Sequence, residues 1–112
     1  MKLKHSEQNG ITIIEMKGNV LGGPDASTLN DQLHQFIDQN KNNVVVDLGE
    51  VTFMNSSGLG MLIGGLTTMK NANGDLKLAR PNERVEGLLT ITKLFTVFEC
   101  FDTVEDAVAS YQ

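Results

Sequence analysis

VVVDLGEVTFMNSSGLG, from Val44 to Gly60, decides the reading of this chain. Val44–Leu48 is an apolar run carrying a single Asp, the pattern of a strand covered on both faces. A short turn is expected after it, and then Asn55-Ser56-Ser57-Gly58 forms a polar corner that opens an apolar helix. Asn and Ser are good N-cap residues, because a side-chain oxygen can accept from one of the helix's first orphan N–H groups. The corner also sets two hydroxyls at the positive end of a helix dipole, where an anion is favoured. Gly58 removes a side chain beside those hydroxyls and leaves room for another protein's active site. Plain capping and a modifiable serine both fit these residues.

The helix that follows sharpens the choice. Leu59, Leu62, Ile63, Leu66 and Met69 recur at helical spacing and predict its inward stripe. Gly60, Met61, Gly64, Gly65 and Thr68 fall on the other side, where a solvated helix would carry Lys and Glu. Each interior Gly costs about 1 kcal/mol relative to Ala, so three in two turns need a reason. Close packing on a sheet is one such reason. A docking surface beside a modifiable hydroxyl is the other.

Working outward, Lys2–Ser6 and Ile11–Lys17 read as strands joined by an Asn9-Gly10 hairpin turn. KGNVLGGPD reads as a loop with a short strand around Val20, and Pro24 suits the first turn of a helix. Ala26, Leu29, Leu33, Phe36 and Ile37 give that helix an apolar face. Asn73-Gly74 ends the second helix, Leu76–Ala79 is a strand, and Pro81 introduces a third helix with Val85, Leu88, Leu89 and Thr92 on one face. Val97–Phe101 is expected to be a last short strand. Asp102 to Glu105 reads as a capping box for a final helix with Val104, Ala107, Val108 and Tyr111 inward. The fold class is α/β. An N-terminal hairpin followed by βα units makes a mixed β-sheet covered by about four helices, in one domain over residues 1–112.

Composition excludes several functions. A formal charge of −5 and a pI near 4.8 oppose nonspecific binding to nucleic acid or to anionic membranes. No apolar stretch reaches the roughly 20 residues of a membrane span, and the N-terminus has no apolar signal core, so a cytoplasmic protein is expected. Cys100, the single cysteine, is expected to be a buried small hydrophobe between Phe98 and Phe101. His5 and His34 have no partners at ligand spacing, so no metal site is expected. Asp47 is expected to fix the turn after its strand. The corner is not Gly-x-Ser-x-Gly and no phosphate-binding Gly-rich loop ends in Lys-Ser/Thr; neither an enzyme nor a cofactor is expected.

VVVDLGEVTFMNSSGLGMLIG resembles the signature of STAS domains, in particular bacterial anti-sigma factor antagonists, whose pattern is roughly D-L-S-x-V-x-F-[MI]-D-S-[ST]-G-L-G. The resemblance extends over the whole chain. It implies a phosphorylatable serine at Ser56, modified by a partner serine kinase that is itself an anti-sigma factor and restored by a PP2C-type phosphatase. The unmodified form would bind the kinase and free the sigma factor. A partner-facing set of Asn19, Gly22, Gly23, Asn55, Ser57, Gly58, Leu59 and Met61 is implied in the same way, on a monomer or weak homodimer. Two positions depart from the pattern: Asn55 stands where the family has Asp, and Gly18-Asn19-Val20-Leu21 replaces a Gly-Glu-[LIV]-Asp run. The alternative is a constitutive STAS scaffold or transport-accessory subunit that is never phosphorylated.

Overall fold

A computed structural model describes all residues, 1–112. The chain folds as β1 (Lys2–Gln8), β2 (Ile11–Val20), α1 (Pro24–Asp38), β3 (Asn43–Met54), α2 (Ser56–Asn71), β4 (Asp75–Ala79), α3 (Glu83–Ile91), β5 (Cys100–Phe101) and α4 (Val104–Ala109), with a 3₁₀ turn at Leu94–Thr96. The five strands form one sheet in the order β1-β2-β3-β4-β5. Only β1 is antiparallel to its neighbour; the other pairings are parallel. The expected mixed sheet with its N-terminal hairpin and four helices is therefore the fold observed. Asn9 and Gly10 both adopt positive φ, 52° and 81°, as a two-residue hairpin turn demands.

Two strands run further than their sequence pattern indicates. β3 does not turn after Leu48 but continues to Met54, because β2 also continues and pairs with it up to Val20↔Met54. The separate strand expected near Val20 is the end of β2. Register shifts between Glu15 and Lys17 and between Gly18 and Asn19 keep the two in step. β4 pairs with β3 only as far as Asp47. The last seven residues of β3 thus form an arm paired on one side alone, and that arm carries the Asn-Ser-Ser-Gly corner.

One sheet face holds the larger core, in which Ile14, Met16, Val44, Val46 and Leu78 meet Leu29 and Leu33 of α1, Leu59 and Leu62 of α2, and Val85 and Leu89 of α3. The other face has a smaller cluster, Ile11, Ile13, Val45 and Ala79, beneath Ala107 and Val108 of α4. Six residues are too few to hold a helix by propensity. Polar contacts at its end help to hold it: the Tyr111 hydroxyl donates to the Val44 carbonyl at 2.7 Å, and the Lys77 ammonium donates to Ser110 Oγ at 2.8 Å. Burial pushes the Tyr111 phenol well above its ordinary pKa, so this donor keeps its proton.

Three local expectations are corrected near the C-terminus. β5 is only Cys100–Phe101, because Lys93 at φ 61° breaks the chain into the 3₁₀ turn before it. Cys100 is exposed: β5 is the outermost strand of the sheet. The last helix is capped by Thr103, whose hydroxyl accepts from the Asp106 N–H at 3.0 Å, one residue beyond the expected Asp102 box.

Candidate functional site

The corner at the end of β3 is built by three interlocking contacts. Asn55 is the N-cap of α2, with extended backbone at φ −104° and ψ −178°, and its side-chain oxygen accepts from the Gly58 N–H at 2.8 Å. The Asn55 N–H in turn donates to the Val20 carbonyl at 3.3 Å, which fastens the corner to the end of β2. Gly58 packs against that same carbonyl, and a Cβ there would overlap it. The structure thus corrects the reason for Gly58, which admits the protein's own strand rather than a visiting active site.

Ser56 and Ser57 occupy the first two positions of α2, and both are exposed. Their N–H groups belong to the orphan set of a helix start, and the cap reaches only the third position, Gly58. α2 has no acidic residue in its first turn, so the positive end of its dipole is uncompensated. Gly22, at φ 79°, lies against Ser57; a Cβ there would sit 2.9 Å from the Ser57 carbonyl oxygen. This contact brings the β2–α1 loop, with Asn19 exposed on one side and Gly23 on the other, up to the serine corner. Leu21 and Phe53, two large apolar side chains left exposed, flank it.

The implied partner-facing residues therefore divide. Asn19, Gly23 and Ser57 are exposed, and Asn55 is half-buried at the cap. Gly22 and Gly58 are buried and shape the corner through the backbone. Leu59 is a core residue, 2% exposed, and cannot meet a partner directly. Met61 and Gly65, expected on the outward side of α2, are buried, because α1 packs over that side and Gly65 touches Leu33 and Leu29. Ile63, expected inward, is only partly buried.

Between α1 and α2 runs an open groove of about 580 Å³, lined by Ala26, Leu29 and Asn30 on one wall and by Ser57, Gly60, Met61, Gly64, Gly65 and Thr68 on the other. Nothing lies within 4 Å of the Cβ positions of Gly60 and Gly64, so these two glycines leave space that the fold itself does not fill. The Thr68 hydroxyl donates to Asn30 Oδ1 at 3.1 Å and ties the two walls together.

No turn follows Asp47, because β3 runs on; its carboxylate accepts from the Gly49 N–H at 3.0 Å within the strand, and its larger role was not legible. It is 5% exposed and takes a two-pronged bond from Arg80, at 2.7 and 2.8 Å. The Asp47 hydrogen bond holds the Arg80 guanidinium above its ordinary pKa. Gly49 gives the guanidinium its seat, since a Cβ there would overlap it. The only sequence signal was the two residues' positions at the ends of neighbouring parallel strands.

Comparison with known proteins agrees with this geometry. A proposed anti-sigma factor antagonist of Thermotoga neapolitana is 31% identical over 78 residues, covering 70% of this chain and 69% of that protein. The crystal structure of a proposed anti-sigma factor antagonist of Thermotoga maritima superposes with a TM-score of 0.83 at 23% identity, over 96% of this chain and 92% of that one. The phosphorylated form of SpoIIAA, a Bacillus cell fate determinant, superposes with a TM-score of 0.74 at 16% identity, over 99% and 100% of the two chains. No helix is long and apolar enough to cross a membrane. Residues 2–107 match the model of the STAS domain, and this chain, with its N-terminal hairpin and βα units, belongs to the STAS domain family.

Proposed function

We propose that this protein is an anti-sigma factor antagonist switched at Ser56. An anti-sigma factor serine kinase phosphorylates Ser56, a PP2C-type phosphatase restores it, and only the unmodified form binds the kinase and so frees the sigma factor. One observation carries the reading: Ser56 is an exposed hydroxyl at the first position of a helix whose dipole no carboxylate has compensated. Phosphate there adds about −1.5 to −2 charges and three acceptor oxygens. The helix start accommodates the charge, a gain of about 0.3–1 kcal/mol, so the fold survives modification. A partner surface shaped to cover a neutral hydroxyl instead meets a dianion whose desolvation costs several kcal/mol. Binding is lost while the fold is kept.

Asn55 makes the corner less negative than the family's Asp would, and it caps equally well. Phosphopeptide mapping of the protein from its native cells tests the assignment. Phosphate on Ser56 in part of the population is expected; phosphate on Ser57 alone would refute the choice of serine. A chain unmodified under all growth and stress conditions would favour the constitutive scaffold. With the kinase in hand, Ser56→Ala should keep its affinity and Ser56→Glu should lose at least about tenfold by calorimetry, or about 1.4 kcal/mol.

A further inference from the structure

The sheet has two open edges, and they are unlike. β5 ends one side with only Cys100 and Phe101, too short to template another strand. β1 ends the other side with the seven residues Lys2–Gln8, in unbroken register with β2 and without a proline. Asn9 and Gly10 close the hairpin as a two-residue turn, so the ladder bonds to β2 fall on Lys2, Lys4, Ser6 and Gln8. The N–H and C=O groups of Leu3, His5 and Glu7 therefore point away from the sheet. Charges that would discourage pairing are compensated within the chain. Glu7 lies 3.4 Å from the Lys41 ammonium, and Lys4 stands directly across from Glu15 of β2. Leu29, Leu33 and Phe36 turn α1 onto the core, and Ala26 and Asn30 face α2. Helical spacing then gives the flank of α1 over β1 to Thr28, Gln32 and Gln35, none of them charged.

We propose that β1 pairs antiparallel with β1 of a second copy of this chain about a two-fold axis at His5, joining the two five-stranded sheets into one. In this register Leu3 of each copy faces Glu7 of the other and His5 faces His5, so every outward donor on the strand meets an acceptor. A slip of two residues in either direction leaves Leu3 or Glu7 of both copies without a strand partner. The strand is also its own complement in charge. Its first half carries Lys2 and Lys4 and its second half carries Glu7, and antiparallel pairing sets one half beside the other. Lys2 stands across from Gln8 and Lys4 across from Ser6, so no two lysines and no two carboxylates are directly opposed. His5 is exposed at the axis, its ring held edge-on against Phe36 at 5.4 Å. Both Ser56 corners stay open, because each lies at the end of β3 with β2 between it and the axis. The dimer thus presents two copies of the corner, and its existence does not depend on what Ser56 does.

The test combines sedimentation equilibrium with amide spectra of the isotope-labelled full chain. Self-association at submillimolar concentration is expected, with concentration-dependent shifts centred on Lys2–Gln8. His5→Lys and His5→Glu each set like charges across the axis and should weaken the dimer at least about fivefold. An equimolar mixture of these two variants should associate more tightly than either alone. His5→Pro removes an N–H that no ladder bond to β2 uses, so the chain should fold and the dimer should be lost. Cys100→Ser, on the opposite edge, should leave the association unchanged. The spectra show whether each variant is folded. A monomer at every concentration, shifts confined to α2 or β5, or undiminished association of His5→Lys and His5→Glu would overturn the proposal. Phosphopeptide mapping reads the Ser56 switch separately, so either reading can fail without the other.

Discussion

The first turns of α2 and α3 are built on the same residue. Asn55 and Asn82 both stand at an N-cap after a parallel strand, and both accept from the N–H three residues on, at 2.8 and 2.9 Å. α3 then uses up its start. Glu83 and Glu86 lie in its first turn and compensate the dipole, while the Asn82 amide donates to the Val51 carbonyl at 2.9 Å and braces the β3 arm. α2 leaves its start open, with two exposed hydroxyls and no carboxylate. Identical capping chemistry thus serves as a strut in one helix and leaves an uncompensated start in the other. What separates them is the next four side chains and the strand that each asparagine reaches.

The largest effect is expected where the α2 corner presses on β2. Gly58→Ala forces a methyl into the Val20 carbonyl and should cost about 3 kcal/mol in chemical denaturation. Gly87→Ala, in open space on α3, should instead gain about 1 kcal/mol from helix propensity. A tolerated Gly58→Ala would mean that the corner is not anchored to the strand.

The caps themselves give the next contrast. Asn82→Ala removes both a cap and the brace on Val51 and should cost about 2 kcal/mol, against about 1 kcal/mol for Asn55→Ala. Equal losses in the same denaturation series would show that the brace contributes nothing.

The smallest effect concerns the dipoles. Ser56→Glu should stabilise the isolated protein by about 0.3–1 kcal/mol, and Glu83→Gln should destabilise it by a similar amount. Both differences should shrink as salt is added. A Ser56→Glu variant less stable than the parent at low salt would contradict the open-site reading of α2.

Much of this was legible from local pattern. Helical spacing from Ala26 to Ile37 and from Leu59 to Met69, the Asn9-Gly10 turn and the polar corner all rest on contacts within a few residues, and those elements formed as expected. Capping at the corner is a contact over three residues, so residue type narrowed it to Asn55 or Ser56, and the structure assigns it to Asn55. The resemblance of the 44–64 stretch to the STAS signature added the family.

Apart from the local corrections at Lys93 and Thr103, the failures share one cause, which is distance along the chain. The β3 arm exists because β2, over thirty residues earlier, continues alongside it, and nothing between Gly49 and Met54 encodes that neighbour. Met61 and Gly65 are covered because α1 packs on that side of α2, which helical spacing alone cannot specify. The Asp47–Arg80 bond joins residues 33 apart at adjacent strand ends, and Gly58 answers to Val20. By itself, then, the sequence determined the main helices and strands, their order and the polar corner that opens α2. Tertiary structure alone decided which glycines are filled by the protein's own atoms and which stay open, because that depends on which backbone segments the sheet brings together.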